Sequence, residues 1–350
     1  MLNFTQITFK SLALHRVGNK LREEGVLLAD DLYNISDETL RNVLLDYFLS
    51  PFKNADEFFK FSHDTKLELN EVYNYCQQIF TDASSLFAQS VNISKHLYNQ
   101  STHPKVRSGE FYVAYFSDCV LDDEIVDAIG IFKSENKDTY LKPIERNNEV
   151  IINYESGINV RKLDKGCLIF NTAATEGYRM LVVDKQSKGS SEAQYWRDDF
   201  LHTERVHDRA FTTQNYIQLC SAFCDEISPE MEGKKEEVLF MSKSINYFAE
   251  HDNFDVEDFA ETVLEEGSRI VEFKKFKEQY EAENGLEQPD LFQISQPMVK
   301  QMKRKFKNQI QLDTGIELKL SGEAADPYII RGYDEERKMF FYKVFFTDEA

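Results

Sequence analysis

The sequence predicts an α+β protein built on a central, largely antiparallel sheet, and two observations carry this prediction. Between residues 109 and 184, short runs rich in β-branched and aromatic residues follow one another, separated by polar or glycine-containing turns. No long helical pattern lies between these runs, as a doubly wound parallel sheet would require. The predicted strands are 110–116, 125–132, 149–154, 166–170 and 178–183.

The segments on either side of this sheet carry further strand and helix patterns. Before it, an extended segment over 4–17 predicts a hairpin through Gly18-Asn19, and a short strand is predicted at 57–61. Helical spacing of apolar residues recurs at 36–51, 69–103, 213–227, 238–250, 256–266 and 268–284, and two hairpins are predicted at 309–320 and 328–346. We therefore expect a core domain at 1–228 and a C-terminal helical and β-hairpin region at 229–350, divided at Ser228-Pro229.

Composition limits the classes of function. The chain has 61 acidic and 41 basic residues, a formal charge of -20, which repels DNA phosphates at long range and restricts any DNA contact to a local surface. The five cysteines indicate reduced thiols in a cytosolic protein, and no stretch is long and apolar enough for a membrane span. Cys220 and Cys224 share a helical face but lack further ligands, so we predict no metal. Neither the Walker pattern nor Gly-x-Gly-x-x-Gly is present, so we predict no cofactor.

One acidic cluster raises an enzymatic alternative. Asp127 lies on a predicted strand and Glu135-Asn-Lys137 follows it. Many Mg²⁺-dependent nucleases gather carboxylates for the cation and a lysine for the scissile phosphate in a pattern of this kind. Glu135 and Lys137 lie beyond the apolar run, which places them in a turn, and a solvated acidic loop is the plainer interpretation.

The basic residues are organised in one place. Ser295 is a suitable helix cap, Pro297 suits the first turn, and the predicted helix runs to Asn308. Its cations fall at i, i+3, i+4 and i+7, at Lys300, Lys303, Arg304 and Lys307. Val299, Met302 and Phe306 form an apolar stripe that we expect to dock on the C-terminal hairpins. The helix is a candidate contact for nucleic acid, and the alternative is a solvated helix whose lysines offset nearby acids.

Three blocks, taken in order, resemble the bacterial 37-kDa nucleoid-associated protein family. They are Leu14-His-Arg-Val-Gly-Asn-Lys20, the paired strands 111–116 and 125–132, and Ala193-Gln-Tyr-Trp-Arg-Asp-Asp-Phe-Leu201 with Thr213 downstream. The resemblance implies a cytoplasmic accessory protein of the bacterial nucleoid without established catalytic chemistry. Its partner would be nucleoid DNA, reached directly or through a DNA-processing protein, and self-association stays open. Better-known relatives have a Gly- and basic-rich segment where this chain has Trp196-Arg-Asp-Asp199, which argues against a DNA contact there.

Overall fold

The chain divides into two compact units, 1–206 and 207–350, which are described separately. A computed structural model of the protein describes residues 2–53, 55, 57–146, 149–184, 195–231, 233–306, 308–320 and 327–348. Along the chain, the boundary between the units lies between Val206 and His207. The domain boundary predicted at Ser228-Pro229 falls inside the second unit. The helices on the two sides of Ser228-Pro229 pack into one apolar core.

The first unit contains ten described strands and three described α-helices. In chain order the strands are β1 (Thr8–Val17), β2 (Val26–Leu27), β3 (Phe58–Phe61), β4 (Gly109–Leu121), β5 (Glu124–Ser134), β6 (Asp138–Arg146), β7 (Glu149–Gly157), β8 (Lys165–Phe170), β9 (Arg179–Asp184) and β10 (Thr203–Arg205). The helices are α1 (Glu38–Leu49), α2 (Glu71–Thr81) and α3 (Leu86–Gln100), and a π-helical segment spans Tyr195–Leu201.

Eight of these strands form one sheet in the order β10-β3-β9-β8-β5-β4-β1-β2. Every neighbouring pair is antiparallel, which confirms the predicted fold class. The hairpin from β1 to β2 through Gly18-Asn19 is confirmed, with Val17 opposite Val26. Antiparallel neighbours such as β4 and β5 can be joined by a tight hairpin, whereas parallel neighbours need a long crossover connection.

The central strands are buried on both faces. Alternate residues of β4 serve different cores: Phe111, Val113 and Tyr115 lie in the core under α2 and α3, and Tyr112, Ala114 and Phe116 in the core under α1. On the α1 side, the ring of Phe48 stacks on Phe132 with centroids 4.3 Å apart. Helices on both faces thus explain why β4 and β5 are continuously apolar rather than alternating.

One predicted strand of the sheet lies elsewhere. The segment 149–154 was expected among the central strands, but β7 pairs only with β6, in a separate two-stranded hairpin. Most residues of both strands are exposed, so the hairpin is not enclosed between helices as β4 and β5 are. The strand predicted at 149–154 is therefore confirmed, but its predicted place in the central sheet is wrong. Strand propensity does not specify which strand a segment pairs with.

The second unit is a helical core with small hairpins. Its described elements are the helices α4 (Arg209–Ile227), α5 (Lys234–Glu250), α6 (Val256–Leu264), α7 (Gly267–Asn284) and α8 (Gln296–Lys305), and the strands β11 (Asn253–Asp255), β12 (Leu291–Gln293), β13 (Gln309–Gln311), β14 (Glu317–Lys319), β15 (Ile329–Asp334) and β16 (Met339–Val344). The predicted hairpins β13–β14 and β15–β16 are confirmed. The pairing of β11 with β12 was not predicted, because these strands are separated by α6 and α7.

Candidate nucleic-acid interface

Helix α8 begins as predicted and ends earlier than predicted. Ser295 occupies the N-cap position, Pro297 lies in the first turn, and Phe306 is the C-cap, so the helix stops at Lys305 rather than at Asn308. The backbone N–H of Ser295 donates to Thr213 Oγ1 at 3.0 Å. This bond satisfies one of the backbone donors at the start of the helix and ties it to α4.

The apolar side of α8 packs on helices rather than on hairpins. Met298 and Val299 are buried, and Met302 and Phe306 pack at the edge of the helical core. Helix α8 packs mainly on α4 and α5. The prediction that its apolar stripe docks on the C-terminal hairpins is therefore wrong. Gln296 Nε2 also donates to the carbonyl of His251 at 2.8 Å. Helix α8 is thus held in place by contacts that do not involve its basic residues.

The opposite side of α8 is basic and open to solvent. Lys300, Lys303 and Arg304 are exposed, and so is Lys305, which sequence reasoning left out. The nearest polar partner recorded is Asn246 Oδ1, 3.4 Å from Lys303 Nζ. None of these four cations forms an ion pair with a carboxylate in the part of the chain that the structure describes. Lys307, the fourth predicted cation, lies outside the described residues.

The charge around α8 contrasts with that of its unit. Residues 207–350 contain 18 Lys and Arg against 30 Asp and Glu, a net charge of -12. Between Asp290 and Asp313, however, the sequence has no acidic residue. The basic side of α8 is therefore a local positive surface on an acidic unit. The cations in its last turn also stabilise the helix C-terminus through the macrodipole. These residues therefore have a structural role whether or not they bind a ligand.

A second surface of this unit combines aromatic rings with cations. Hairpin β15–β16 exposes several aromatic side chains, and the Arg331 guanidinium lies 3.9 Å from the ring centroid of Phe340. Exposed rings beside cations are typical of single-stranded nucleic-acid binders. Residues 327–348 carry equal numbers of acidic and basic side chains, four of each, so this hairpin supplies no net attraction for phosphates. Helix α8 is therefore the better candidate.

The residues of the nuclease alternative are not brought together. Asp127 accepts a hydrogen bond from Tyr115 Oη at 2.5 Å near the start of β5, and Glu135 follows the end of that strand. Eight residues of extended strand correspond to about 26 Å. Lys137 lies in the turn near Glu135, as predicted, and its Nζ pairs with Glu110 at 2.7 Å. No single cation could contact Asp127 and Glu135 together.

Glu135 instead belongs to a buried ionic network that sequence reasoning missed. Its Oε1 accepts hydrogen bonds from Lys133 Nζ at 2.8 Å and from Tyr195 Oη at 2.9 Å, and neither charged side chain is exposed. Lys133 Nζ also donates to the carbonyl of Arg107 at 2.8 Å. Burial lowers the pKa of Lys133, although the neighbouring Glu135 carboxylate acts in the opposite direction. The pKa of Tyr195 is raised, mainly by burial and also by the Glu135 carboxylate.

A second buried lysine adjoins this network. Lys165 lies opposite Lys133 in the β5–β8 register, pairs with Asp184 Oδ1 at 2.9 Å, and has its Nζ 5.0 Å from the ring centroid of Tyr195. With no exposed surface on either lysine, the cluster holds β5, β8, β9 and the π-helical segment together. Within the described ranges, no three His, Cys, Asp or Glu side chains are placed to hold a metal ion.

These features define a class: an acidic α+β protein with helices on both faces of an antiparallel sheet and one exposed basic helix in a second, helical unit. The family model described as nucleoid-associated protein YejK matches residues 13–340, nearly the whole chain. The chain belongs to this nucleoid-associated protein family, which confirms the resemblance and supports a role at the nucleoid. A search for similar curated proteins found no match. None of the described helices has the length and apolar character needed to cross a membrane.

The described residues of two family-like blocks serve the fold. Asn19 Nδ2 donates to the carbonyls of His103 and Val106, each at 2.8 Å, and His15 Nε2 lies 2.8 Å from Ser90 Oγ. Trp196, from the third block, is fully buried, with its ring 4.9 Å from Phe200. Ala193 and Gln194 of that block lie outside the described residues. The resemblance therefore identifies the family through structural positions rather than through a binding site.

Proposed function

We propose that this protein is a non-enzymatic accessory protein of the nucleoid that contacts duplex DNA weakly through the basic side of α8. The observation that carries the proposal is the exposure of Lys300, Lys303 and Arg304 on the side of α8 turned away from its packed apolar side, with Lys305 also exposed in the last turn. Lysine and arginine side chains free of carboxylate partners can each neutralise a DNA phosphate.

The number of cations predicts weak, salt-sensitive binding. Three or four neutralised phosphates correspond to a log–log salt slope of about -3 to -4. Raising the salt from about 50 to about 200 mM would then weaken binding roughly 100-fold. The net charge of -20 adds long-range repulsion, so direct contact by itself supplies little affinity at physiological salt.

The test is charge reversal on α8 with a charge-matched control. The test variant combines Lys300→Glu, Lys303→Glu, Arg304→Glu and Lys307→Glu. The control makes four reversals on the hairpins of the same unit, at Lys319→Glu, Arg337→Glu, Lys338→Glu and Lys343→Glu. Both variants shift the net charge equally, from -20 to -28. Anisotropy of a labelled duplex at about 50 mM salt should show binding lost in the test variant and largely retained in the control.

Two outcomes would contradict direct contact. Equal loss in both variants would mean that only overall charge matters, and a wild-type protein that ignores DNA at about 50 mM salt would end the direct-binding hypothesis. Imaging of the nucleoid in cells then addresses recruitment through a DNA-processing protein, the second candidate, which the net charge of -20 favours. Retained localisation of the test variant would assign recruitment to such a partner.

A further inference from the structure

The two faces of hairpin β15–β16 differ in what they contact. Cross-strand partners share a face, and we call one side the packed face, formed by Ile329, Arg331, Tyr333, Phe340, Tyr342 and Val344. Ile329 is buried in one apolar cluster with Val238 of α5. Lys235 Nζ also donates to the carbonyl of Ile329 at 2.6 Å. The packed face therefore attaches the hairpin to the helical core of its unit.

The opposite side carries aromatic rings and is open to solvent. We call it the ring face, formed by Tyr328, Ile330, Gly332, Phe341, Lys343 and Phe345. The Phe345 N–H donates to the Tyr328 carbonyl at 2.8 Å, which extends the strand register by one pair. The exposed fraction is 58% for Tyr328 and 44% for each of Phe341 and Phe345. Because the other face attaches the hairpin, these rings can contact a ligand without disturbing the fold.

Gly332 lets the Phe341 ring lie on the strand pair. The two residues are opposite each other, and a Cβ added at Gly332 would be 2.5 Å from Phe341 Cζ. The ring therefore occupies the space that a side chain at position 332 would fill, and its remaining surface is exposed. Aromatic rings carried on a sheet in this way are the platforms on which single-stranded nucleic acids stack their bases.

The charged side chains along the two strands are cations. Within 328–333 and 339–346, the only charged residues are Arg331 and Lys343. Lys343 is on the ring face, and its Nζ is 5.0 Å from the ring centroid of Phe345. A cation among exposed rings is complementary to a ligand that has both flat π surfaces and negative charge, which describes a nucleic acid with unpaired bases.

The acidic residues of the hairpin lie at its turn, 334–336, and after its last strand. Asp334 Oδ1 accepts from the backbone N–H groups of Glu336 and Arg337, at 3.0 and 2.9 Å, so this carboxylate stabilises the turn. The hairpin as a whole has no net charge, but its acids are at the ends and Lys343 is among the rings. Stacking, rather than attraction of phosphates, would therefore have to supply most of the affinity.

The rings of the packed face are already in use. The Arg331 guanidinium lies 3.9 Å from the ring centroid of Phe340, and the Tyr333 ring meets the Phe340 ring edge-on at 5.0 Å. One side of the Phe340 ring is thus covered by its own hairpin, although this residue is more exposed than Phe341. Of the two faces, the ring face is the one that can stack on a base.

We propose that the ring face of β15–β16 binds single-stranded DNA, with bases stacked on Phe341 and Phe345 and a phosphate on Lys343. The two rings are four residues apart along β16, about 13 Å, with Lys343 midway between them. Sheet platforms of this kind stack two or three bases. DNA is the strand assigned, because the chain belongs to a nucleoid-associated family. A duplex keeps its bases paired and stacked, so this site is separate from the duplex contact at α8.

Salt dependence distinguishes the two surfaces. One or two phosphate contacts at the ring face correspond to a log–log salt slope of about -0.7 to -1.4 for a single strand. Three or four contacts at α8 would give about -2 to -3 with the same strand. Binding of single-stranded DNA should therefore persist at salt concentrations at which duplex binding is lost.

The first test uses two neighbouring phenylalanines on opposite faces. The full chain should bind labelled oligothymidylate of about 12 nucleotides in an anisotropy titration at about 150 mM salt. Phe341→Leu should weaken this binding about fivefold or more, the lower limit for one stacked base. Phe340→Leu removes an exposed ring from the packed face and should leave the affinity unchanged. Circular dichroism reports that both variants are folded. A wild type that does not bind the strand, or equal effects of the two variants, would overturn the proposal.

The second test asks whether bases or phosphates are recognised. An abasic strand of the same length keeps the charge and loses the π surfaces, so it should not bind. Equal binding of the abasic strand, or a salt slope as steep as that expected for α8, would refute stacking. Tighter binding of oligouridylate than of oligothymidylate would overturn the assignment to DNA. The double variant Phe341→Leu/Phe345→Leu should lose single-strand binding and keep the duplex binding of the wild type, so failure of this proposal and failure of the α8 contact are told apart.

Discussion

Replacing Glu135 by glutamine should destabilise the first unit, because it leaves a fully buried lysine without its counter-ion. Lys133 Nζ has the Glu135 carboxylate at 2.8 Å and the Arg107 carbonyl at 2.8 Å, and its side chain has no exposed surface. Glutamine keeps an acceptor for the Tyr195 hydroxyl and removes only the charge. The substitution therefore isolates the ionic part of the network.

The expected magnitude is large for one substitution. Removing one member of a buried ion pair costs about 3–5 kcal/mol, because the remaining charge stays buried without compensation. Whole domains have unfolding free energies of about 5–15 kcal/mol. With a urea m-value of about 1–3 kcal/mol/M, the midpoint should fall by roughly 1 M or more. The double variant Lys133→Met/Glu135→Gln removes both charges and should recover about 2 kcal/mol or more of that loss.

Trp196 makes the assay specific to this unit. It is the only tryptophan of the chain, is fully buried, and adjoins Tyr195 of the network. Its fluorescence during urea titration therefore reports unfolding of residues 1–206. Glu155→Gln is the control, because the Lys142–Glu155 pair has a similar distance, 2.9 Å, but both side chains are about half exposed, at 53% and 46%. The control should unfold at the wild-type midpoint. An unchanged midpoint for Glu135→Gln would refute a buried pair.

Two further predictions concern the sheet and its response to pH. Gly109→Ala should strongly destabilise the first unit, because the added Cβ would lie 1.9 Å from the Ser134 carbonyl oxygen and the backbone of both strands would have to move. Urea titration of the variant checks this, and an unfolding midpoint equal to that of the wild type would contradict it. Burial lowers the pKa of His15, whose Nδ1 accepts from the Ala29 N–H at 3.1 Å. As the pH is lowered below about 6.5, His15 is therefore protonated in the unfolded chain before it is protonated in the folded one. The free energy of unfolding should then decrease by up to about 1.4 kcal/mol for each unit by which the pH is lowered. His15→Asn keeps an acceptor and should lack this contribution between pH 7 and 5, so parallel wild-type and variant curves would exclude it.

The sequence located most strands and helices, and their local patterns explain why. The apolar runs of β4 and β5, the turn at Gly18-Asn19 and the cap at Ser295 depend on residues adjacent along the chain. Periodicity and turn chemistry are local properties, so they can be read without the fold. The basic side of α8 was found in the same way, from the i, i+3, i+4 spacing of Lys300, Lys303 and Arg304.

By itself, then, the sequence determined the fold class, the family and the basic side of α8. Only the tertiary structure decided which strands pair and which charges are buried. β7 has a strand pattern whether it joins the central sheet or stands apart with β6, and β11 finds β12 only after α6 and α7 have folded back. Glu135 looked like a turn residue of an acidic loop, but its partner Tyr195 is 60 residues away. Local patterns carry no information on which distant segments meet, because that depends on the packing of the whole chain and on the entropy of closing long loops.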